Sequence, residues 1–287
     1  MSDASYPSLQ EFLAAPIEEV SKVAPTTMIY SSSGSRRAAA LAGVPMKDYP
    51  AWSLPRLFDQ LAIFLRYGVR HLVVPMLMPS GYRETTPGYR ENIEGWVDRG
   101  LAGPDTLAHW RRQGWRVRML GTEAAPGLQA AAARLAAETP PGPPTIWFTI
   151  VPEAGLPWEW ALAAARASGA TTRAEAALAL YGEDIPPATL FLSWGKPIVN
   201  HDLLPPLLVG DLQCYWYQRP GYSVTDSDFR TILYDYAFTR KTWKEDKTGR
   251  DEQALHYRAE FENAPIIGLG RRLGPFWYPQ SHAEPDR

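Results

Sequence analysis

Three stretches of this chain are apolar at nearly every position: HLVVPMLM within residues 70–78, TIWFTIV within 144–152, and ATLFLSW at 188–194. A half-buried strand alternates apolar and polar residues, so runs of this kind belong to strands covered on both faces, as in a parallel sheet. TTMIYS (26–31), WRVRMLG (115–121), LQCYWYQ (212–218) and IIGLG (266–270) are further strand candidates. Between the first two strands lies SLPRLFDQLAIFLRYG, in which Leu54, Leu57, Phe58, Leu61 and Leu65 share one helical stripe. Ser53 is placed to cap its start and Gly68 its end. Phe229, Ile232, Leu233 and Tyr236 repeat the spacing, with Asp226 or Ser227 as cap. The segment 124–144 reads as a helix closed by a Pro-rich turn, since strand and helix alternate past it without a change of style. The expectation is one α/β domain over residues 1–287, a central, mostly parallel sheet surrounded by helices.

Several function classes are disfavoured at once. A formal charge of -2 gives no basic field for nucleic acid, so anion binding has to come from local placement. The single cysteine, Cys214, rules out a disulfide framework and a Cys-based zinc site, and suits a reducing cytoplasm. No segment resembles a signal peptide or approaches the ~18 apolar residues of a membrane span, so a cytoplasmic protein without stable membrane insertion is expected. His71, His109, His201, His256 and His282 are scattered without metal-pair spacing. GxSxG, Walker, GxGxxG, DDxxD and DxDD patterns are absent. Eleven tryptophans point to an apolar cavity or interface as well as core.

One short motif does carry chemistry. The strand at 26–31 runs into Ser31-Ser32-Ser33-Gly34-Ser35, then Arg36 and Arg37, then an alanine-rich helical segment. A strand–loop–helix passage of this kind aims backbone N–H groups outward, and two arginines add planar donors for a diphosphate. The same residues also describe a tight glycine turn with solvated arginines. The residues alone leave both readings open.

The arrangement resembles the signature of the cis-prenyltransferase superfamily, whose first strand enters a DGNGRWA-type loop that binds an allylic diphosphate. It is most similar to the diterpene-handling branch typified by tuberculosinyl adenosine transferase and labdane-type diterpene synthases, where the loop reads DGTRRW; here it is SGSRRA. LQEFLAAPIEEV, LFDQLAIFLRYGVRHLVVPMLMPS, GYRENIEGW, TILYDYAFTR and YRAEFENAPIIGLG extend the resemblance over most of the chain, in order and spacing. The resemblance implies a cis-prenyltransferase-like fold, a deep isoprenoid tunnel, a homodimer, Mg2+, and an isoprenoid diphosphate substrate whose C–O bond is broken heterolytically. Ser33 stands where the family has an aspartate that serves magnesium-assisted departure. The arginine–serine cluster that binds a second diphosphate for chain elongation is not recognisable in residues 190–218.

The resemblance thus implies a diterpene synthase that ionises a bicyclic labdane (copalyl-type) diphosphate and quenches the cation by deprotonation or with water. Diterpenyl transfer to a nucleoside or other small acceptor, and a noncatalytic isoprenoid-binding subunit, are the alternatives. The diphosphate falls to Ser33, Gly34, Ser35, Arg36 and Arg37, with Ser80 and Arg83 of MPSGYRE at the carboxyl end of the second strand. Asp48 and Tyr49 in KDYPAW are similar to a DDY segment of the relative; Asp48 is then the metal carboxylate and Tyr49 a phosphate hydrogen bond, although Asp48 is equally an ordinary helix-cap carboxylate. Tyr215, Trp216 and Tyr217 offer ring faces to a cation, with at most one side of that strand facing the pocket. Core packing of the same aromatics is the competing explanation.

Overall fold

The computed structural model describes residues 6–151, 157–219, 221–242, 247–264 and 266–280. Residues 281–287, with His282, lie outside the described residues. The apolar runs form the parallel sheet they predict. Strands β1 (Thr27–Tyr30), β2 (His71–Leu77), β3 (Arg116–Leu120), β4 (Thr145–Ile150), β5 (Ala188–Trp194) and β6 (Val209–Tyr217) pair in the order β3-β4-β2-β1-β5-β6, every pair parallel.

Strand alternation sends neighbouring side chains to opposite faces, and both faces are covered. Met28, Tyr30, Leu72, Val74, Ile146, Phe148, Leu190 and Leu192 join one core cluster. The intervening Ile29, Val73, Trp147 and Phe191 join another, under the helix Arg173–Tyr181. The first cluster is closed by Leu57, Leu61, Phe64 and Leu65 of the helix Tyr49–Arg66 and by Phe229, Ile232 and Leu233 of the helix Asp226–Tyr234. Four tryptophans, Trp110, Trp115, Trp147 and Trp194, are buried in these cores.

Three local expectations are corrected. The long helix begins at Tyr49, four residues before Ser53, because Pro50 takes a position in the first turn where its missing N–H costs nothing; Ser53 Oγ donates instead to the Pro50 carbonyl at 3.4 Å. The late helix is capped by Thr225 in a reciprocal box with Asp228, and Asp226 and Ser227 lie inside it. Only Gly270 of IIGLG is in a strand: β7 (Gly270–Leu273) pairs antiparallel with β8 (Phe276–Pro279), apart from the central sheet. Gly274, at a φ of 55°, supplies the turn between them.

Gln60 connects the first half of the chain to the last. Its buried amide donates to the Val224 carbonyl at 2.9 Å and accepts the Val224 N–H at 3.2 Å, while the Tyr30 hydroxyl reaches the same side-chain oxygen at 3.4 Å. Removing it strands two buried backbone groups. Gln60→Leu is therefore expected to cost about 3 kcal/mol of stability, read from the shift in urea midpoint at unchanged slope.

Candidate functional site

A cavity of about 760 Å³ opens at the carboxyl ends of β1 and β2. Ligands of open α/β sheets bind at this edge, and the size falls within the range of about 300–1,000 Å³ of small-molecule pockets.

The loop after β1 builds its polar end, with Ser32, Ser33, Gly34, Ser35 and Arg36 in the wall. Gly34 has a φ of 83° at the start of the helix Ser35–Leu41, a left-handed conformation that side chains resist. The first-turn amides of Ser35, Arg36 and Arg37 have no intrahelical acceptor. With only seven residues in the helix, these amides, the serine hydroxyls and Arg36 matter more than a macrodipole. Arg36 pairs with Glu84 at 2.8 Å and lies over the Tyr89 ring, 4.7 Å from its centre. The hydrogen bond from Arg36, followed by those from Thr86, lowers the Glu84 carboxyl from 4.5 to about 2.

Much of the remaining wall is apolar, although Lys47 and Arg99 also line the cavity. Leu54 and Leu57 of the long helix, Met76 and Leu77 of β2, and Ile93 and Val97 of the helix Tyr89–Ala102 line it. Four aromatic residues, Tyr49, Tyr89, Trp96 and Tyr222, stand around the same space. Tyr89 and Trp96 pack edge to face with ring centres 5.6 Å apart.

A second loop presses on the first. A Cβ on Gly221 would stand 2.8 Å from the Ser33 carbonyl oxygen and 3.0 Å from the Ser35 nitrogen, so the two backbones pass where only glycine fits. Tyr222 follows, lining the cavity together with Ser35, Ser53 and Tyr49. Ser35 and Tyr49 are themselves joined at 2.7 Å. Burial pushes the Tyr222 phenol well above its ordinary value.

Of the residues expected from sequence, the fold brings Ser33, Gly34, Ser35, Arg36, Tyr49 and Ser80 into one cavity. Others lie elsewhere. Arg37 is on the next position of its helix and packs over the Phe276 ring of β8, at 5.2 Å. Arg83 follows the short helix Pro79–Tyr82, outside the cavity wall. Asp48 is exposed at the start of the long helix and is not in the lining, so the metal role expected for it has no support from its position. Tyr215 and Tyr217 point into the first core cluster and are tied to Asp235 at 2.8 Å and Asp228 at 2.6 Å; Trp216 packs with the second cluster. Core packing accounts for that strand. Among the described residues, no three His, Cys, Asp or Glu side chains come together to hold a metal.

Glu84, Tyr89, Trp96 and Tyr222 were not singled out by sequence reasoning. The seven-residue spacing of Tyr89 and Trp96 on one helix face was a usable signal. Nothing local marked Tyr222.

Compared with known proteins, the chain is 51% identical over 280 residues to (+)-kolavelool synthase of Herpetosiphon aurantiacus, with 96% of each chain covered. The chain belongs to the kolavelool synthase family of terpene synthases. Its fold is also found in lavandulyl diphosphate synthase from Lavandula x intermedia, solved with dimethylallyl diphosphate, at a TM-score of 0.60 and 12% identity over 76% of this chain and 97% of that one. A probable undecaprenyl diphosphate synthase from Campylobacter jejuni gives a TM-score of 0.55 at 12% identity, over 76% and 98%. These two likenesses show a cis-prenyltransferase-like fold for this kolavelool synthase relative. No protein-family model matches the sequence.

The ion pair at the mouth sets a pH prediction. Because the folded value of Glu84 lies below its unfolded one, the pair with Arg36 contributes in full above pH ~4.5 and fades as pH falls toward 2. Carboxyl-carbon NMR should show Glu84 titrating with a midpoint of about 2; a midpoint at 4.5 would mean that the pair is not formed.

Proposed function

We propose that the protein is a diterpene synthase that ionises a bicyclic labdane-type allylic diphosphate and releases a diterpene alcohol. The observation that carries this reading is the cavity itself, which brings the donors of the loop after β1 and an apolar, aromatic-edged wall around one space. Kinship with a kolavelool synthase supports the substrate class, and the alcohol ending of that product's name supports capture by water.

The roles follow from the geometry. The amides and hydroxyls of Ser33 to Ser35 and the Arg36 guanidinium hold the diphosphate and stabilise the negative charge that grows on it as the C–O bond breaks. Ser80, in the short helix Pro79–Tyr82 after β2, adds a hydroxyl. Arg37 lies over the Phe276 ring with its guanidinium beside Gly34 of the same loop. Tyr89 and Trp96 line the cavity in which the cation forms, and the leucines and methionines of the wall exclude bulk water.

Magnesium takes one or two carboxylates together with phosphate oxygens and waters, so a single protein carboxylate at the diphosphate end is an adequate donor. Glu84 fits, with the Ser33 hydroxyl in the place of the family aspartate. When bound, the metal neutralises part of the leaving group's charge. Glu84 is already shared with Arg36, so its release from that pair accompanies any such binding.

A cytoplasmic homodimer completes the reading. Leu255, Phe261, Ile266 and Ile267 near the C-terminus expose 69%, 70%, 64% and 95% of their surface, and large exposed apolar side chains of this kind suit a subunit interface. Among the described residues, no helix is long and apolar enough to cross a membrane. Sedimentation is expected at twice the mass of the chain, and a monomer at micromolar concentration would contradict the dimer.

The activity is tested by incubating the protein with copalyl-type and geranylgeranyl diphosphates, with and without Mg2+ and adenosine, and analysing products by mass spectrometry. A diterpene alcohol from the bicyclic substrate is expected, with Arg36→Ala slower by about a hundredfold or more. No turnover of either diphosphate, or an adduct formed only with adenosine, would overturn the synthase reading.

A further inference from the structure

Among the described residues only Leu207 and Tyr222 have positive φ without being glycine. At Tyr222 it is 65°, a conformation that a bulky side chain adopts only when its surroundings impose it. The surroundings are specific. Gln60 grips Val224 from both sides, and the Tyr217 hydroxyl donates to the Ser223 carbonyl at 3.1 Å. Gly221 seats the preceding backbone on the diphosphate loop. The outcome is a phenol turned into the cavity, with the Trp52 ring against it at 6.3 Å.

Its neighbours define what that phenol does. Ser35 belongs to the diphosphate loop, Ser53 immediately precedes Leu54 of the apolar wall, and Tyr49 bridges to Ser35. These hydroxyls stand at the boundary between the polar end and the apolar part of the wall, where the scissile C–O bond of a bound allylic diphosphate would lie. A water held in a mostly apolar pocket needs two or more polar partners. This boundary offers them beside the reacting carbon.

We infer that Tyr222 is a specificity-determining residue: its hydroxyl, held by the strained turn beside those of Ser35, Ser53 and Tyr49, positions the water that captures the allylic cation. The inference rests on the synthase reading given above. In the step, the C–O bond breaks with its electron pair leaving on diphosphate, a lone pair of water forms the new C–O bond, and the oxonium proton passes to a diphosphate oxygen. Alcohol and hydrogen diphosphate result. Without the positioned water, the cation instead gives a C–H proton to diphosphate and ends as a hydrocarbon.

The test is the product ratio with a copalyl-type diphosphate and Mg2+ in ¹⁸O-water, for the wild type, Tyr222→Phe and Ser53→Ala. Inorganic diphosphate affinity is measured by calorimetry beside it. The expected results are an ¹⁸O-labelled alcohol from the wild type and a fall of about fivefold or more in the alcohol-to-hydrocarbon ratio in Tyr222→Phe. Diphosphate affinity should change less than twofold, which a merely structural role for the ring would not predict. Ser53→Ala leaves the strained turn untouched and must shift the ratio in the same direction, so it carries the test if Tyr222→Phe does not fold. An unchanged ratio in folded Tyr222→Phe, or an alcohol oxygen that comes from diphosphate, overturns the role of Tyr222 while leaving the synthase reading in place. Absence of any turnover by the wild type overturns both.

Discussion

The site depends on two backbones that touch. Gly34, in the loop after β1, and Gly221, in the turn after β6, meet so closely that a Cβ on the second would collide with the carbonyl and amide of the first loop. That contact is not held by the glycines themselves. It is held by Gln60, whose single side chain pins the later turn at Val224 and touches Tyr30 at the end of β1. A polar group buried in a core is costly unless every hydrogen bond is made, and here the bonds made are the ones that position two loops.

From this follows the division of the cavity. The clamped loop presents donors in one direction, and Arg36 is kept near the mouth by Glu84 and the Tyr89 ring. The hydrogen bond from Arg36 holds the Glu84 carboxyl below its ordinary value, so Arg36 is held by a charge that a polyanion can outcompete. Much of the remaining wall is built from the same apolar stripes that close the core. The cavity is a continuation of the core packing between the sheet and the helices Tyr49–Arg66 and Tyr89–Ala102.

Most of the sheet was legible because continuous apolar runs have few physical explanations. The stripe of Leu57, Leu61 and Leu65 likewise became the buried face of the long helix. Residues contributed by one local segment were also legible: Ser33 to Arg36 come from a single strand-to-helix passage. Direction and long-range assembly were less legible. Arg36 and Arg37 are adjacent in sequence yet about 100° apart on a helix, so only one lines the cavity. Asp48 and Tyr49 divide in the same way. Tyr215 to Tyr217 have the composition of a binding surface but are consumed by the core and by hydrogen bonds to Asp235 and Asp228. Tyr222 enters only because the last quarter of the chain folds back over the first loop, and no periodicity in the sequence encodes that return.

In the proposed reading, the loop 33–36 holds the diphosphate of a diterpenoid whose rings lie against the apolar part of the wall. A crystal structure with a non-ionisable thiolo-diphosphate analogue of a bicyclic labdane substrate tests it directly. The account predicts diphosphate oxygens on the Ser33 to Ser35 backbone and Arg36, with the ring system among Leu57, Met76 and Val97. A diphosphate bound away from that loop, or rings lying outside the cavity, would contradict it.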